Sequence, residues 1–372
     1  MSAHSVYEGF ISSFQDPSFG GTSTSPQALY VEQENLDIGY TLNKRNPTVS
    51  TGRGFGSFSQ VPTSMKPQGT IAFAFRTDDC LRFFNAHFQF SQTNGGTEIV
   101  FSPNLEEARY SRYDINDGTV PKPTFYPETV TIVKKLFDSG TNAYVFKQGI
   151  VESLAMTAGV GLEAIISCGM RFLSVDAGSA VGSLVGAYST HLPFESFQAN
   201  VKLDGNTIDL SGFNFNSWQK LQDITAVGNV NPNAFKYLDY TLTGTIAFDL
   251  PSSAFTHIGS MIGTKDFSFT ATLLNAANDK VVINMPVCRR TPFNFNQGNA
   301  DSKLSVSMPF EAFPYGTSGY ITVTVSSTSG AFMPWTLLDA KDGARTITSW
   351  PLFDAASGAR TIATFIRFDR DA

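Results

Sequence analysis

The pentapeptide Gly69-Thr70-Ile71-Ala72-Phe73 returns unchanged as Gly244-Thr245-Ile246-Ala247-Phe248. Its β-branched and aromatic residues make it a strand. The segment after each copy is also repeated in kind. "RTDDCLRFFNAHF" comes after the first copy and "LPSSAFTHIGSMIG" after the second. Both predict a short helix. In the first, Thr77 can cap, Asp78 and Asp79 suit the positive N-terminus, and Leu81, Phe84 and Phe88 share a face. In the second, Ser252 or Ser253 can cap, and Phe255, Ile258 and Ile262 share a face.

The correspondence continues in both directions. "VTIVKKLFDSGTNAYVF" from Val130 matches "FSFTATLLNAANDKVVI" from Phe267, each a strand, a turn and a strand. Closing strands end on "GMRF" at 169–172 and "SMPF" at 307–310. Opening alternations start at Leu29 ("LYVEQENLDIGYTL") and Asn200 ("NVKLDGNTIDLSGF"). The implied unit is a strand pair, long loop, strand, helix, hairpin and closing strand. One copy covers about 27–198, with an inserted loop at about 91–129 that has room for one hairpin. The second covers about 199–315. Each copy has a long loop before its repeated strand, at about 43–67 and 214–236. Long loops at matching places suggest contact with a neighbour.

The ends differ from the repeats. Residues 1–26, rich in Ser, Gly, Phe and Pro, predict an arm that is ordered only where something holds it. Residues 316–372 predict a small β meander. There "DAKDGARTI" (339–347) recurs as "DAASGARTI" (354–362), with Gly343 and Gly358 at turn positions.

Composition narrows the function. With 372 residues, 42% of them hydrophobic, the chain can build two or three cores. Phe occurs 33 times, whereas charged residues make up only 16%. A net charge of −6 offers no basic surface for gripping nucleic acid. Cys80, Cys168 and Cys288 are too few and too scattered for a disulfide framework and predict buried, reduced thiols. No secretory signal and no membrane-spanning run is expected.

No motif for catalysis, cofactor binding or metal binding emerges. The four histidines are His4, His87, His191 and His257. His87 and His257 fall near the ends of the two predicted helices. A shared metal site there lacks further ligands, and bonding to a last-turn carbonyl is the simpler expectation. "GRGFG" at 52–56 lacks the strand–helix context of a phosphate loop. "GSAVGSLVG" at 178–186 fits a linker or a tightly packed segment. Glu106, Glu107, Asp114 and Asp117 lie in the insert, where solvated charge is the plain reading and glycoside cleavage the sharper one. Phe83, Phe84, Phe213 and Phe215 fit core or subunit contact better than base stacking, which needs cationic grooves. No catalytic, cofactor-binding or metal residue is assigned, and the chain is not expected to be an enzyme.

Over residues 27–315 this order of elements resembles the tail tube proteins of long, non-contractile-tailed (siphovirus-like) bacteriophages, in a tandem two-unit form. The resemblance rests on "GTIAFAFRTDDCLRFFNAHF", "GTIAFDLPSSAFTHIGSMIG" and "FYPETVTIVKKLFDSGTNAYVFKQGIVESLAMTAG". It implies a mainly β fold, two β-sandwich or half-barrel units each flanked by one helix, with a C-terminal β extension decorating the tube. It implies self-assembly into homotrimeric, pseudo-sixfold rings stacked into a conduit for DNA ejection. The implied partners are the tape measure and tail terminator proteins, with DNA passing through the lumen unbound; no membrane and no cofactor is involved. The implied location is the virion, after synthesis in the host cytoplasm. No lumen residue is assigned, although the acidic balance suits a wall that repels DNA. Two other readings stand beside this one. A carbohydrate-binding or depolymerising spike would use Trp335, Trp350 and the insert carboxylates. A tail cap or decoration protein would stop at one ring.

Overall fold

The structure, a computed structural model, describes residues 10–16, 24–45, 59–88, 91–94, 98–103, 129–135, 143–177, 187–195, 199–225, 229–249, 266–291, 305–315 and 319–328. The first half carries β1 (Phe10–Asp16), β2 (Thr24–Leu29), β3 (Val31–Glu34), β4 (Tyr40–Arg45), β5 (Ser59–Met65) and β6 (Gln68–Ala74). Helix α1 (Thr77–Phe88) comes next, then β7 (Ser91–Asn94), β8 (Glu98–Phe101), β9 (Thr129–Lys135), β10 (Ala143–Gly159), β11 (Ile165–Arg171), β12 (Ser174–Ala177) and β13 (Ala187–Tyr188). The second half carries β14 (Asn200–Leu203), β15 (Asn206–Thr207), β16 (Gly212–Ile224), β17 (Ala234–Asp249), β18 (Phe267–Leu274), β19 (Lys280–Arg290), β20 (Ser305–Ala312) and β21 (Thr322–Ser326). The fold is mainly β, as expected, and α1 is the one helix among the described residues.

The two copies of the repeated pentapeptide lie in β6 and β17, and their surroundings match. β6 sits between β3 and β11, and β17 between β16 and β20. All four pairings are antiparallel. The expected hairpins form as β9–β10 and β18–β19. A further strand extends each hairpin: β12 along Tyr144–Lys147 of β10, and β21 along 280–284 of β19.

Both pentapeptides begin with glycine because another part of the chain passes too close for a side chain. A Cβ on Gly69 would lie 2.6 Å from the Leu36 Cα and 2.7 Å from the Asn35 carbonyl oxygen. One on Gly244 would lie 2.7 Å from the Asn214 carbonyl oxygen and 2.3 Å from the Phe310 ring. Backbone cannot yield as a flexible side chain can. Gly69→Ala and Gly244→Ala are each expected to cost about 1–3 kcal/mol in urea unfolding.

Helix α1 covers one face of the sheet and accounts for much of the Phe surplus. Phe83 meets Phe73 at 5.0 Å between ring centroids, and Phe84 meets Phe75 at 5.8 Å and Phe101 at 5.5 Å. In the second half Phe269 meets Phe213 at 5.6 Å and Phe310 at 5.9 Å. These edge and offset contacts are favourable beyond the area they bury. Phe83, Phe84, Phe213 and Phe215 are therefore core residues. All three cysteines are buried and free.

The structure completes some sequence expectations and revises others. Parts of the predicted long loops are strands: 214–224 and 234–236 belong to β16 and β17, and 43–45 and 59–65 to β4 and β5, which pair with each other. In the second half only residues 225–233 connect the two strands. The predicted arm contributes β1, held between β2 and β9. "YITVTV", read as the start of the C-terminal extension, supplies β21, which lies between β19 and β8 with Val323 and Val325 buried. The start of the insert forms the β7–β8 hairpin. The predicted helix at 252–262, His4, His257, the GRGFG stretch, the 178–186 segment, the four insert carboxylates, Trp335 and Trp350 all lie outside the described residues.

Candidate assembly interface

The most informative geometry is where the halves meet. β10 is long enough to serve two purposes. Its first part pairs with β9, and its last part, Ser153–Gly159, pairs with β16, running from Ser153 opposite Trp218 to Gly159 opposite Gly212. The sheet therefore crosses from one half to the other in the order β3-β6-β11-β10-β16-β17-β20-β19. The second four strands repeat the roles of the first four.

The two ends of this series are not equivalent to its middle. The outer edge of β16 is covered by β10. The corresponding strand of the first half, β3, pairs only with β6 among the described strands. At the other end β18 covers β19 through Cys288. An unpaired edge offers backbone donors and acceptors to another strand.

Three polar clusters hold the halves rigidly together. The first is a buried knot around His87 at the end of α1. Its Nδ1 donates to the Val151 carbonyl at 2.9 Å on β10, which leaves Nε2 to accept from the Ser217 hydroxyl at 2.6 Å on β16. Ser217 in turn lies 2.6 Å from the Tyr240 hydroxyl on β17, and the Gln219 amide donates to the His87 carbonyl. His87 thus bonds across to two strands, a wider role than the last-turn carbonyl contact expected of it. Among the described residues no group of three or more His, Cys, Asp or Glu could hold a metal.

The second cluster centres on Asp279 in the β18–β19 turn, only 1% exposed. Its carboxylate accepts from Ser327 Oγ at 2.9 Å, the Thr328 amide at 2.9 Å, Asn275 Nδ2 at 3.1 Å and Thr77 Oγ1 at 3.2 Å, with His191 Nδ1 at 3.1 Å. Thr77 and His191 come from the first half, the other partners from the second. The expected capping hydroxyl of Thr77 is directed to Asp279. Burial alone would raise this carboxyl, but the bonds from His191, Thr328, Asn275 and Ser327 outweigh it and pull it down to about 2.

In the third, Arg171 grips Glu152 through two nitrogens at 2.7 and 2.9 Å and reaches Asp223 on β16 at 3.0 Å. Lys66 binds the other Asp223 oxygen at 2.9 Å. Close by, the Met65 amide donates to the Val230 carbonyl at 2.8 Å. The β4–β5 hairpin of one half is thereby joined to the tip of the β16–β17 hairpin of the other.

Asp79, expected to face the helix N-terminus as a charge, is instead buried. It accepts from Gln27 Nε2 at 2.7 Å, and Arg76 Nη1 lies 3.8 Å away. Burial, reinforced by Asp78 and opposed by Arg76 and Arg82, raises its carboxyl from 3.8 to about 7. As pH rises, the unfolded chain loses this proton first. The stability Asp79 contributes is therefore full below about pH 3.8 and is lost as pH rises through about 7. Relative to Asp79→Asn, the wild type is expected to lose roughly 2–4 kcal/mol over that interval and nothing further above it. Urea unfolding across the range measures the difference.

The second-half clusters escaped the sequence reading because their members are scattered over the whole chain. Among the described residues no helix is long and apolar enough to cross a membrane. A search of curated proteins found no match. A family model described as phage tail tube protein matches residues 18–331, well over half of the chain. Both copies of the repeated strand and both hairpins sit within that match, and the chain belongs to the phage tail tube protein family.

Proposed function

We propose that the chain is a tandem of two equivalent units that polymerises edge to edge into rings, which stack into the tube that conducts DNA out of the virion. One observation carries this reading: β10 of the first half joins β16 of the second, and β3, the counterpart of β16, pairs along its outer edge with no other described strand. The seam between the halves is a template for the seam between chains. Two units per chain make the pseudo-sixfold ring a trimer, a closed arrangement that leaves no strand edge exposed. The tape measure and terminator proteins are then its partners in the tail, and the host cytoplasm its site of synthesis. The paired hairpins β4–β5 and β16–β17 extend from the sheet and suit contact between successive rings.

The test uses an edge-specific change. Proline is tolerated on an edge strand but blocks further pairing. Glu32→Pro on β3 is expected to leave a folded monomer with unchanged circular dichroism and to abolish filaments in electron microscopy of concentrated protein. Filaments of unaltered abundance in Glu32→Pro, or a wild type that stays monomeric at every concentration, would refute the proposal.

A further inference from the structure

The two halves of the chain correspond residue by residue, and their chemical differences fall on the seam. Gln68 of β6 stands between Arg171 on β11 and Asp37, and Thr243 of β17 stands between Glu311 on β20 and Asn216. From there the same spacing holds outward. The register shift after Thr41 in the β4–β5 hairpin falls where that after Lys220 falls in β16–β17, with Ser64 and Asp239 as the partners before it. Lys44, opposite Gln60, therefore takes the place of Asp223, opposite Phe235. Ile38 takes the place of Ser217, and Tyr40, opposite Met65, that of Gln219, opposite Tyr240.

Within the chain the seam is held by Arg171 to Asp223 at 3.0 Å and by His87 with Ser217 and Gln219. At the corresponding places on the other flank of each half the chemistry is inverted. Glu311 stands where Arg171 stands, and Lys44 where Asp223 stands. A cation matched to an anion becomes an anion matched to a cation. Arg289, opposite Glu311, is already bound to Asp266 at 2.8 and 3.1 Å. The hydroxyl and amide that receive His87 become Ile38 and Tyr40. In the aligned sequence after the second pentapeptide His87 itself becomes Ile262, which lies outside the described residues.

Among the described strands β3 pairs only with β6, and β4 only with β5. We propose that this open β3–β4 edge is keyed to the second half of another copy of the chain, with Lys44 matched to Glu311, and that the inversion rejects a first half there. The inference rests on the tube reading, which brings these two surfaces together. The rejection acts while the seam within a chain is still open. β10 of a folding chain then meets two rival edges, its own β16 and the β3–β4 edge of a neighbour. Its own β16 offers Asp223 to Arg171 and Ser217 to His87. The neighbour's edge sets Lys44 against Arg171 and leaves the buried His87 Nε2 facing Ile38, which has no polar side-chain atom. Like charges and an unsatisfied buried nitrogen both disfavour that pairing. A second half meeting β16 of another copy fails in the same way, with Glu311 against Asp223. Each wrong pairing thus contains a repulsive element and each right one an attractive element, which is how related interfaces are kept apart.

Charge reversal in the full-length chain tests the match, read as the protein concentration at which filaments appear in electron microscopy. Lys44→Glu and Glu311→Lys are each expected to raise that threshold about tenfold. The defect should shrink at about 500 mM salt, where exposed charges are screened. The Lys44→Glu/Glu311→Lys chain should polymerise at the wild-type threshold. Circular dichroism and urea midpoints establish that each chain is folded. Should a reversal unfold it, Lys44→Gln, Glu311→Gln and their combination carry the test, the double raising the threshold by less than the product of the singles. Single reversals that polymerise like the wild type, a double reversal that does not recover, or neutral changes that act independently overturn the match while leaving the tube standing. A wild type that forms no filaments at any concentration overturns both.

Discussion

Alanine at position 279 is expected to destabilise the chain by about 3–4 kcal/mol at neutral pH, measured by urea unfolding. The loss is large because the Asp279 carboxylate is the common acceptor for Thr77, Asn275, Ser327 and the Thr328 amide, with His191 beside it. Removing it leaves several buried donors without an acceptor, in a site that water reaches poorly. Asp279→Asn keeps one acceptor oxygen and should cost less. The two carboxyl values also set a pH signature. The native group lies at about 2 against an ordinary 3.8. Its contribution is therefore present above pH 3.8 and is lost as pH falls through about 2, where Asp279→Asn should show no matching decline. This is the reverse of the trend at Asp79. The wild type is thus expected to lose an Asp279 contribution toward strong acid and an Asp79 contribution toward neutrality.

His87→Ala should cost a comparable amount, about 3–5 kcal/mol. The imidazole is wholly buried. Deleting it opens a cavity, removes the donor to the Val151 carbonyl and leaves the Ser217 hydroxyl one partner fewer, with Tyr240 still in reach. A surface or capping histidine would cost far less, so the magnitude separates the two roles. Ser217→Ala in the His87→Ala background should cost less than in the wild type, because only the contact with the Tyr240 hydroxyl then remains to be lost. A double-mutant cycle reads this coupling directly.

The same knot explains what the sequence concealed. β6, α1, the two hairpins and the closing strands were legible because their apolar spacing obeys the period of their element. β16 was not. Its inward positions run Phe213, Phe215, Ser217, Gln219 and Leu221, so polar residues interrupt the apolar alternation just where His87 receives them. Asn214, Asn216 and Gln222 add the composition of a loop. The out-of-phase Trp218, projecting to the bare face, disguises the period further. A pattern of Phe-x-Phe with two small or amide residues next at the same spacing was the one available signal. The Asp279 cluster offered none, since Thr77, His191, Asn275 and Ser327 come together only once both halves are packed. The outer edge of β3, which pairs with no other described strand, was equally invisible, because an edge is a property of neighbours and not of residues.

The continuity of β10 into β16 has a kinetic meaning. In the ring proposed above, half of the joints would be made when each chain folds, at an effective concentration set by covalent linkage. Only the remaining joints await collision between molecules. Closure of that ring would have half the molecularity that separate single-unit subunits face, which would lower the dilution threshold for polymerisation.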